Sequence, residues 1–412
     1  MHTLYYRFSP WYIAYALFGV IAVGILPILI PVSVGNGGAG NIAILMATLN
    51  VGGMFAGIFG FLCDRHRLHR TVVISGLGMV ALGAALFAVF PDLLARAMLA
   101  LLIGTGMAAV STVANLLIVE VYPREQWDGR IGWLQTFYGL GQVAGLLLAG
   151  ILSNRIFVGF LTTAAIGTAA LTTAIFTVQT PARPSVPVRA RPTAVKHGEW
   201  GINGPDRSHH HLSAPALRSI RSLYATPLGL FLIGWLLIYT GAAGVFSLYP
   251  VLYKSLFAIR PALSAAGFAA AAAAGLFLYA PSGRLSDRIG ALKVLDASVL
   301  IRAGAFLCLW LLTFSTGRST GAVSLLLFGA IVLAWSPISV SSVAFVASAS
   351  TIEEGEAMGL YNAASSIAAI IGSLAGGMIA VAAGYRAVPL LAAALLGMGL
   401  FLLGRLKEKR AP

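Results

Sequence analysis

Long apolar runs follow one another along almost the whole chain, separated by short polar punctuation. Charges and prolines delimit twelve of them, near residues 11–33, 41–62, 71–90, 95–118, 131–153, 156–178, 227–251, 263–281, 292–314, 321–345, 357–383 and 386–405. Each is close to the roughly 20 residues that a helix needs to cross a bilayer. The runs are continuous rather than alternating, which predicts helices, the form that satisfies its own backbone polar groups inside lipid. The first run, Trp11 to Ser33, is too long for a signal-peptide core, and no small-residue cleavage pattern follows it, so it counts as a span.

The polar punctuation repeats. Gly60-Phe-Leu-Cys-Asp64-Arg65-His-Arg67-Leu-His-Arg70 lies between the second and third spans, and Gly283-Arg-Leu-Ser-Asp287-Arg288-Ile-Gly290-Ala-Leu-Lys293 lies 223 residues later, between the eighth and ninth. Gly132, Gln135 and Gly145 correspond in the same way to Gly359, Asn362 and Gly372, at an offset of 227. The expectation is two pseudo-symmetric halves of six helices each, residues 1–178 and 227–412. The joining segment, 179–226, is rich in Pro, Arg, Gly and His and reads as a flexible linker. Its consecutive His209, His210 and His211 have no acidic or Cys partners nearby, so no metal site is expected. Leu212 to Tyr224, with Arg218 and Arg221, reads either as linker or as a helix lying along the membrane surface.

Composition excludes a soluble domain. Apolar residues make up 58% of the 412, charged residues only 10%, and mean hydropathy is +0.89, against about 25% charged in soluble proteins. The net charge of +14 does not point to nucleic acid, because most of the basic residues belong to the short segments of one face. Twenty basic residues fall in segments on the face of the linker and the termini. Six lie on or near the other face: Arg96, Arg155, Lys254, Arg260, Arg318 and Arg386. This bias places both termini in the cytoplasm, with the protein in the plasma (inner) membrane. Cys63 and Cys308 lie in or beside spans and imply no disulfide framework. There is no nucleotide-binding loop and no His/Asp/Glu cluster, and the outer loops are short. An enzyme or a receptor with an ordered outer domain is therefore not expected, nor is any cofactor.

The paired Gly-x-x-x-Asp-Arg-x-Gly-type runs, each after the second span of its half, resemble the signature of the major facilitator superfamily of secondary transporters. The second copy matches better, because the first has Arg67 where the pattern has Gly. The resemblance implies an all-α membrane protein of twelve transmembrane helices in two six-helix halves, acting on a small molecule by alternating access, as a monomer in the lipid bilayer. It makes Gly60, Asp64, Arg65 and Arg70, and Gly283, Asp287, Arg288 and Gly290, a gating motif. Asp64 would meet the amino-terminal end of span 11, and Asp287 that of span 5, where helix dipoles favour a carboxylate. The plainer reading is that these charges only stop transfer and orient the loop. Arg96, eight residues before Gly104-Thr-Gly106, resembles a family pattern linked to proton or anion handling. It reads equally as an anchor at the outer interface. Gly141, Gly145, Ala149 and Gly150 resemble an exporter motif, with Leu146 in place of its proline.

Polar residues inside spans mark a candidate path. Gln135, Tyr138 and Gln142 share an arc of about 60° on span 5, at about 100° per residue. Trp335, Ser339 and Ser342 share a face of span 10. Span 7 offers Trp235 and Tyr239, span 4 Ser111 and Asn115, and Asn50 and Asn362 stand in spans 2 and 11. Since the resemblance implies that spans 1, 4, 7 and 10 line a cavity flanked by 2, 5, 8 and 11, these residues form an aromatic and amide-lined candidate site. Arg302, within span 9, is expected to snorkel or to contact a neighbouring helix. No carboxylate lies inside spans 1, 5, 7, 8, 10 or 11, which favours neutral or amphipathic substrates over strongly cationic ones. The expected function is efflux of such compounds, with uptake of a metabolite as the alternative.

Overall fold

A computed structural model describes residues 9–122, 126–178, 226–315, 317, 319–349 and 354–408. The linker, with its histidine run and Leu212 to Tyr224, lies outside the described residues, as do the side chains of Asp64 and Glu120. All regular structure among the described residues is helical. Among the described residues eleven helices are long and apolar enough to cross a membrane, or twelve if a pair of helices bent by 51° is one span.

In chain order the helices are α1 (Tyr12–Gly37), α2 (39–66), α3 (His69–Val89), α4 (Leu93–Val121), α5 (Trp127–Leu152) and α6 (Ile156–Thr177). After the linker come α7 (Pro227–Phe257), α8 (Pro261–Leu276 and Tyr279–Ile289), α9 (Ala291–Leu312), α10 (Thr320–Leu333 and Trp335–Ala349), α11 (Glu354–Ala383) and α12 (Ala387–Glu408). In α1 a π-helical turn, Val20–Ile25, runs up to Pro27, which removes the donor that the Val23 carbonyl would otherwise receive.

The charged runs are helical, where the sequence suggested loops. Asp64, Arg65 and His66 belong to the last turn of α2, and Asp287 and Arg288 to that of α8. Basic side chains there complement the negative end of the helix dipole, so the helix continues to the edge of the charged run. The helix preceding each run starts afresh at an equivalent place: α2 passes through a 3₁₀ turn at Gly52–Phe55 and resumes as Ala56–His66, and α8 resumes as Tyr279–Ile289. Both resumed segments have 11 residues and stand 223 positions apart.

Small residues set how closely the helices pack. A Cβ on Gly24 of α1 would come within 2.6 Å of the Gly145 Cα of α5, and one on Gly376 of α11 within 2.7 Å of the Gly244 Cα of α7. Between the halves, Ala39–Val51 of α2 packs on α11, where Gly377 meets Ala43, and α5 packs on Pro261–Leu276 of α8, where Gly139 meets Leu276. The resumed segments Ala56–His66 and Tyr279–Ile289 make no comparable contact with α11 and α5. The seam between halves is thus shut at one end of the bundle and parted at the end bearing the charged runs. The core follows suit. Ile42, Leu248, Leu252 and Ala265 share one apolar cluster across both halves, whereas Trp11, Phe18, Val110 and Leu134 form a separate cluster within the first half.

In the turn within each charged run φ becomes positive: Arg67 is left-handed, with φ 54° and ψ 35°, and Gly290 at the equivalent position has φ 94° and ψ 136°. The missing glycine at 67 therefore does not change the turn's hand. It adds strain, on the order of 1 kcal/mol for a non-glycine residue. Arg67→Gly should raise thermal stability in detergent by about that amount, and Gly290→Ala should lower it. Equal melting temperatures for Arg67→Gly and the parent protein would contradict the strain.

Candidate functional site

Where the closed seam ends, a cavity of about 230 Å³ opens between the halves. Phe18 of α1, Leu49, Asn50 and Gly53 of α2, Gly104, Met107, Ala108 and Ser111 of α4, and Tyr138 of α5 form one wall. Tyr239 of α7 and Ser365, Ser366 and Ala369 of α11 form the other. The glycines earn their place by packing. Gly104 abuts the Leu49 and Gly52 backbone of α2, and a Cβ on Gly106 would lie 3.0 Å from the Met79 Cβ of α3, so Gly104-Thr-Gly106 fits α4 between two neighbours.

Each wall is backed by packed rings. In the first half, Tyr15 stacks on Tyr138 at 5.0 Å between ring centres, and Phe18 lies 5.9 Å from the same ring. In the second half, Trp235 lies 5.7 Å from Tyr239, 4.9 Å from Tyr361 and 6.3 Å from Trp335, and Tyr239 lies 5.8 Å from Trp335. Polar atoms on this side are mostly engaged: Trp235 Nε1 donates to Ser365 Oγ at 2.8 Å, and Ser342 and Tyr361 share a hydrogen bond of 2.9 Å. At the closed end of the cavity Asn50 Nδ2 donates to Ser373 Oγ at 3.3 Å, and Ser373 is hydrogen-bonded to Ser247 at 2.7 Å. That chain joins α2 of one half to α11 and α7 of the other.

The residues singled out by sequence divide into three groups. Asn50, Ser111, Tyr138 and Tyr239 line the cavity. Trp235 and Trp335 stand behind Tyr239, and Asn115 Nδ2 donates to the Ser111 carbonyl. The cavity does not gather the others. Gln135 and Asn362 are exposed, Gln142 is half-buried, and Ser339 donates to the Ser336 carbonyl of its own helix. Of the gating residues, Arg65, Arg70, Asp287 and Arg288 are exposed, and Arg70 donates to the Ile175 carbonyl at 2.8 Å. A Cβ on Gly60 would approach Thr112 of α4, and one on Gly283 Val340 of α10, each at 4.0 Å, so neither glycine faces the opposite half here. Arg96 donates to the carbonyls of Phe90, at 2.9 Å, and Ser33, at 3.4 Å, and lies over Phe87, which ties the α3–α4 turn to α1. Arg302 does not snorkel. It is 3% exposed and contacts rings of α7 and α10.

Sequence reasoning missed Ser365 and Ser366, although Tyr361, Ser365, Ser366 and Ser373 recur at helical spacing in α11. It missed Phe18 and Met107 because an apolar lining residue carries no polar signal.

Two helical halves that meet at one end and enclose a cavity between them at mid-height define a membrane transporter of the alternating-access class. The family profile described as Major Facilitator Superfamily matches residues 11–351, and the chain belongs to that family, whose members are transporters and not enzymes. Solved structures agree on the fold. The nucleoside transporter NupG superposes with a TM-score of 0.70 at 12% identity, covering 97% of each chain. A bacterial homolog of the human lysosomal transporter Spinster, in an inward-facing and unoccupied conformation, superposes with a TM-score of 0.68 at 12% identity, covering 96% of this chain and 97% of its own. The same homolog in its occupied form gives 0.68 at 13% identity, covering 97% and 96%. No curated protein matches the chain by sequence.

The Asn50–Ser373–Ser247 chain predicts how the closed end responds to mutation. Ser373→Ala removes the hydroxyl that joins both halves, a loss of about 1 kcal/mol, or roughly fivefold in a conformational equilibrium. Distances between spin labels at the closed ends of α2 and α11 should shift toward separated states by that factor. An unchanged distribution would show that packing alone holds this end.

Proposed function

We propose that this protein is a secondary transporter that exports small neutral or amphipathic organic compounds, with both termini and the linker cytoplasmic. The observation that carries the reading is the cavity itself, built from both halves, closed at one end and parted at the basic end. The excess of basic residues favours the cytoplasm for that open end. Its lining of rings, hydroxyls and one amide, with no described carboxylate, suits a partly apolar solute better than a strong cation. Uptake is the second reading, favoured by Leu146, which is fully buried where the exporter pattern has proline.

Flux in membrane vesicles tests both. An exporter concentrates its substrate inside inside-out vesicles, and a compound panel screened there should yield at least one such substrate. Concentration in right-side-out vesicles alone would favour uptake, and no flux of any compound in either would count against transport of this solute class. Protease should remove the linker in inside-out vesicles and leave it intact in cells. For any substrate found, Tyr138→Ala and Tyr239→Ala should each weaken apparent affinity by up to about tenfold, the worth of one aromatic contact. Gln135→Ala and Asn362→Ala should leave it unchanged.

The gating role of Asp64 and Asp287 belongs to the same reading. With the basic end parted, Asp287 is exposed, as a released latch would be. On closure it would meet the amino-terminal end of α5, an attraction worth roughly 0.3–2 kcal/mol. Asp287→Asn should therefore enrich the state open at the basic end by at most about thirtyfold, read as label distances between α5 and α8 at that end. An unaltered population would leave the charged run with a purely topological role.

A further inference from the structure

Arg302 is a buried charge of the second half that packing alone leaves unexplained. It stands midway along α9, 3% exposed, with its guanidinium carbon 5.3 Å from the centre of the Phe246 ring and 5.5 Å from that of Trp335. Its Nε is enclosed and has no hydrogen-bond partner, and no described carboxylate pairs with the guanidinium. Arginine does not give up its proton in a protein. A buried charge without a counter-charge is costly in a membrane, and two ring faces offset only part of that cost.

What lies next to the guanidinium is the site. Trp335 is 5.8 Å from Tyr239, ring to ring, and Tyr239 lines the cavity, so one layer of aromatic side chains separates the cation from the cavity. That layer is mounted on an interrupted helix: α10 stops at Leu333 and resumes at Trp335, and Pro337 cannot donate to the Leu333 carbonyl. None of the residues lining the cavity is basic or acidic.

We propose that Arg302 anchors the substrate's carboxylate, and that the transported compound is an amphipathic organic monoanion whose apolar body lies between Tyr138 and Tyr239. This rests on the transporter reading above and narrows its substrate class. A planar guanidinium pairs two N–H groups with the two oxygens of one carboxylate. A phosphate dianion would leave a second negative charge in a cavity whose lining offers no other cation. The carboxylate replaces Trp335 against the guanidinium as that ring turns aside, and the pair then carries no net charge through the membrane interior.

The experiment measures binding to the purified full-length protein, so that it stands apart from any flux assay. The probes are cinnamate, 1-naphthoate and indole-3-acetate, each beside its uncharged primary amide, read by thermal stabilisation and by quenching of tryptophan fluorescence for the two indole-free pairs. At least one acid should bind the parent protein about tenfold or more tighter than its amide, the worth of a charge-assisted hydrogen bond. Arg302→Gln should bring the acid down to the level of the amide and leave amide binding as it was. Arg302→Lys, which keeps the charge without the fork, should fall between and serves where the Gln variant does not fold. Absence of acid-over-amide preference in the parent protein overturns the proposal, as does an equal loss of acid and amide binding in the folded variants, which is the signature of a structural cation. If acids bind as expected while no vesicle shows flux, the anion site stands and the transport reading fails.

Discussion

The arrangement depends on backbone-to-backbone approach between helices of opposite halves. In lipid there is no hydrophobic gain from pressing one apolar helix on another, so association rests on close packing and on hydrogen bonds across the contact. Gly377 against the Ala39 carbonyl and Gly150 against the Ala262 carbonyl allow that approach at the closed end of the bundle. Toward the charged end, Gly57 and Gly60 of α2 have no close neighbour in α11. The cavity is the space that this asymmetry leaves, with its floor at the Asn50–Ser373 hydrogen bond.

Much of this was legible in the sequence because the two halves repeat. The offset of 223 residues between the charged runs also relates the resumed segments Ala56–His66 and Tyr279–Ile289. Asn50, Ser111, Tyr138 and Tyr239 could be found because a polar or aromatic residue amid twenty apolar ones is informative, and helical spacing gave them a face. The same logic misplaced Gln135 and Asn362, which share the face but lie nearer the parted end, where the helices no longer converge on one space. Helical phase fixes direction around an axis and says nothing of where along it two halves separate. Arg67 was legible as a departure, but only the backbone shows that the turn keeps its hand at a local cost. Arg302 was visible as an intramembrane charge. Its surroundings come from α7 and α10, remote in sequence, and no local pattern announces them.

The halves are alike in plan and unlike in chemistry. The interruption in α2 begins at Gly52, whose backbone lies against that of Gly104 in α4, a contact of two glycines. Its counterpart 223 residues on is Gly275, at the end of the first segment of α8, and there the neighbour in α10 contributes a side chain: Ser336 Oγ donates to the Gly275 carbonyl at 2.9 Å. In one half the hinge rests on smooth backbone, and in the other it is tied by a hydrogen bond. Ser336 is the second residue of the resumed segment of α10, directly after Trp335.

That bond ties the interruption of α8 to that of α10. Tyr279–Ile289 carries Asp287 to the basic end, and Trp335 carries the ring that touches both Arg302 and Tyr239. Ser336, bonded to Gly275 at the 51° bend of α8, directly follows the ring that covers the buried cation. In the first half the corresponding contact is between two glycine backbones. The second half thus joins the segment that bears Asp287 to the aromatic layer beside the cavity.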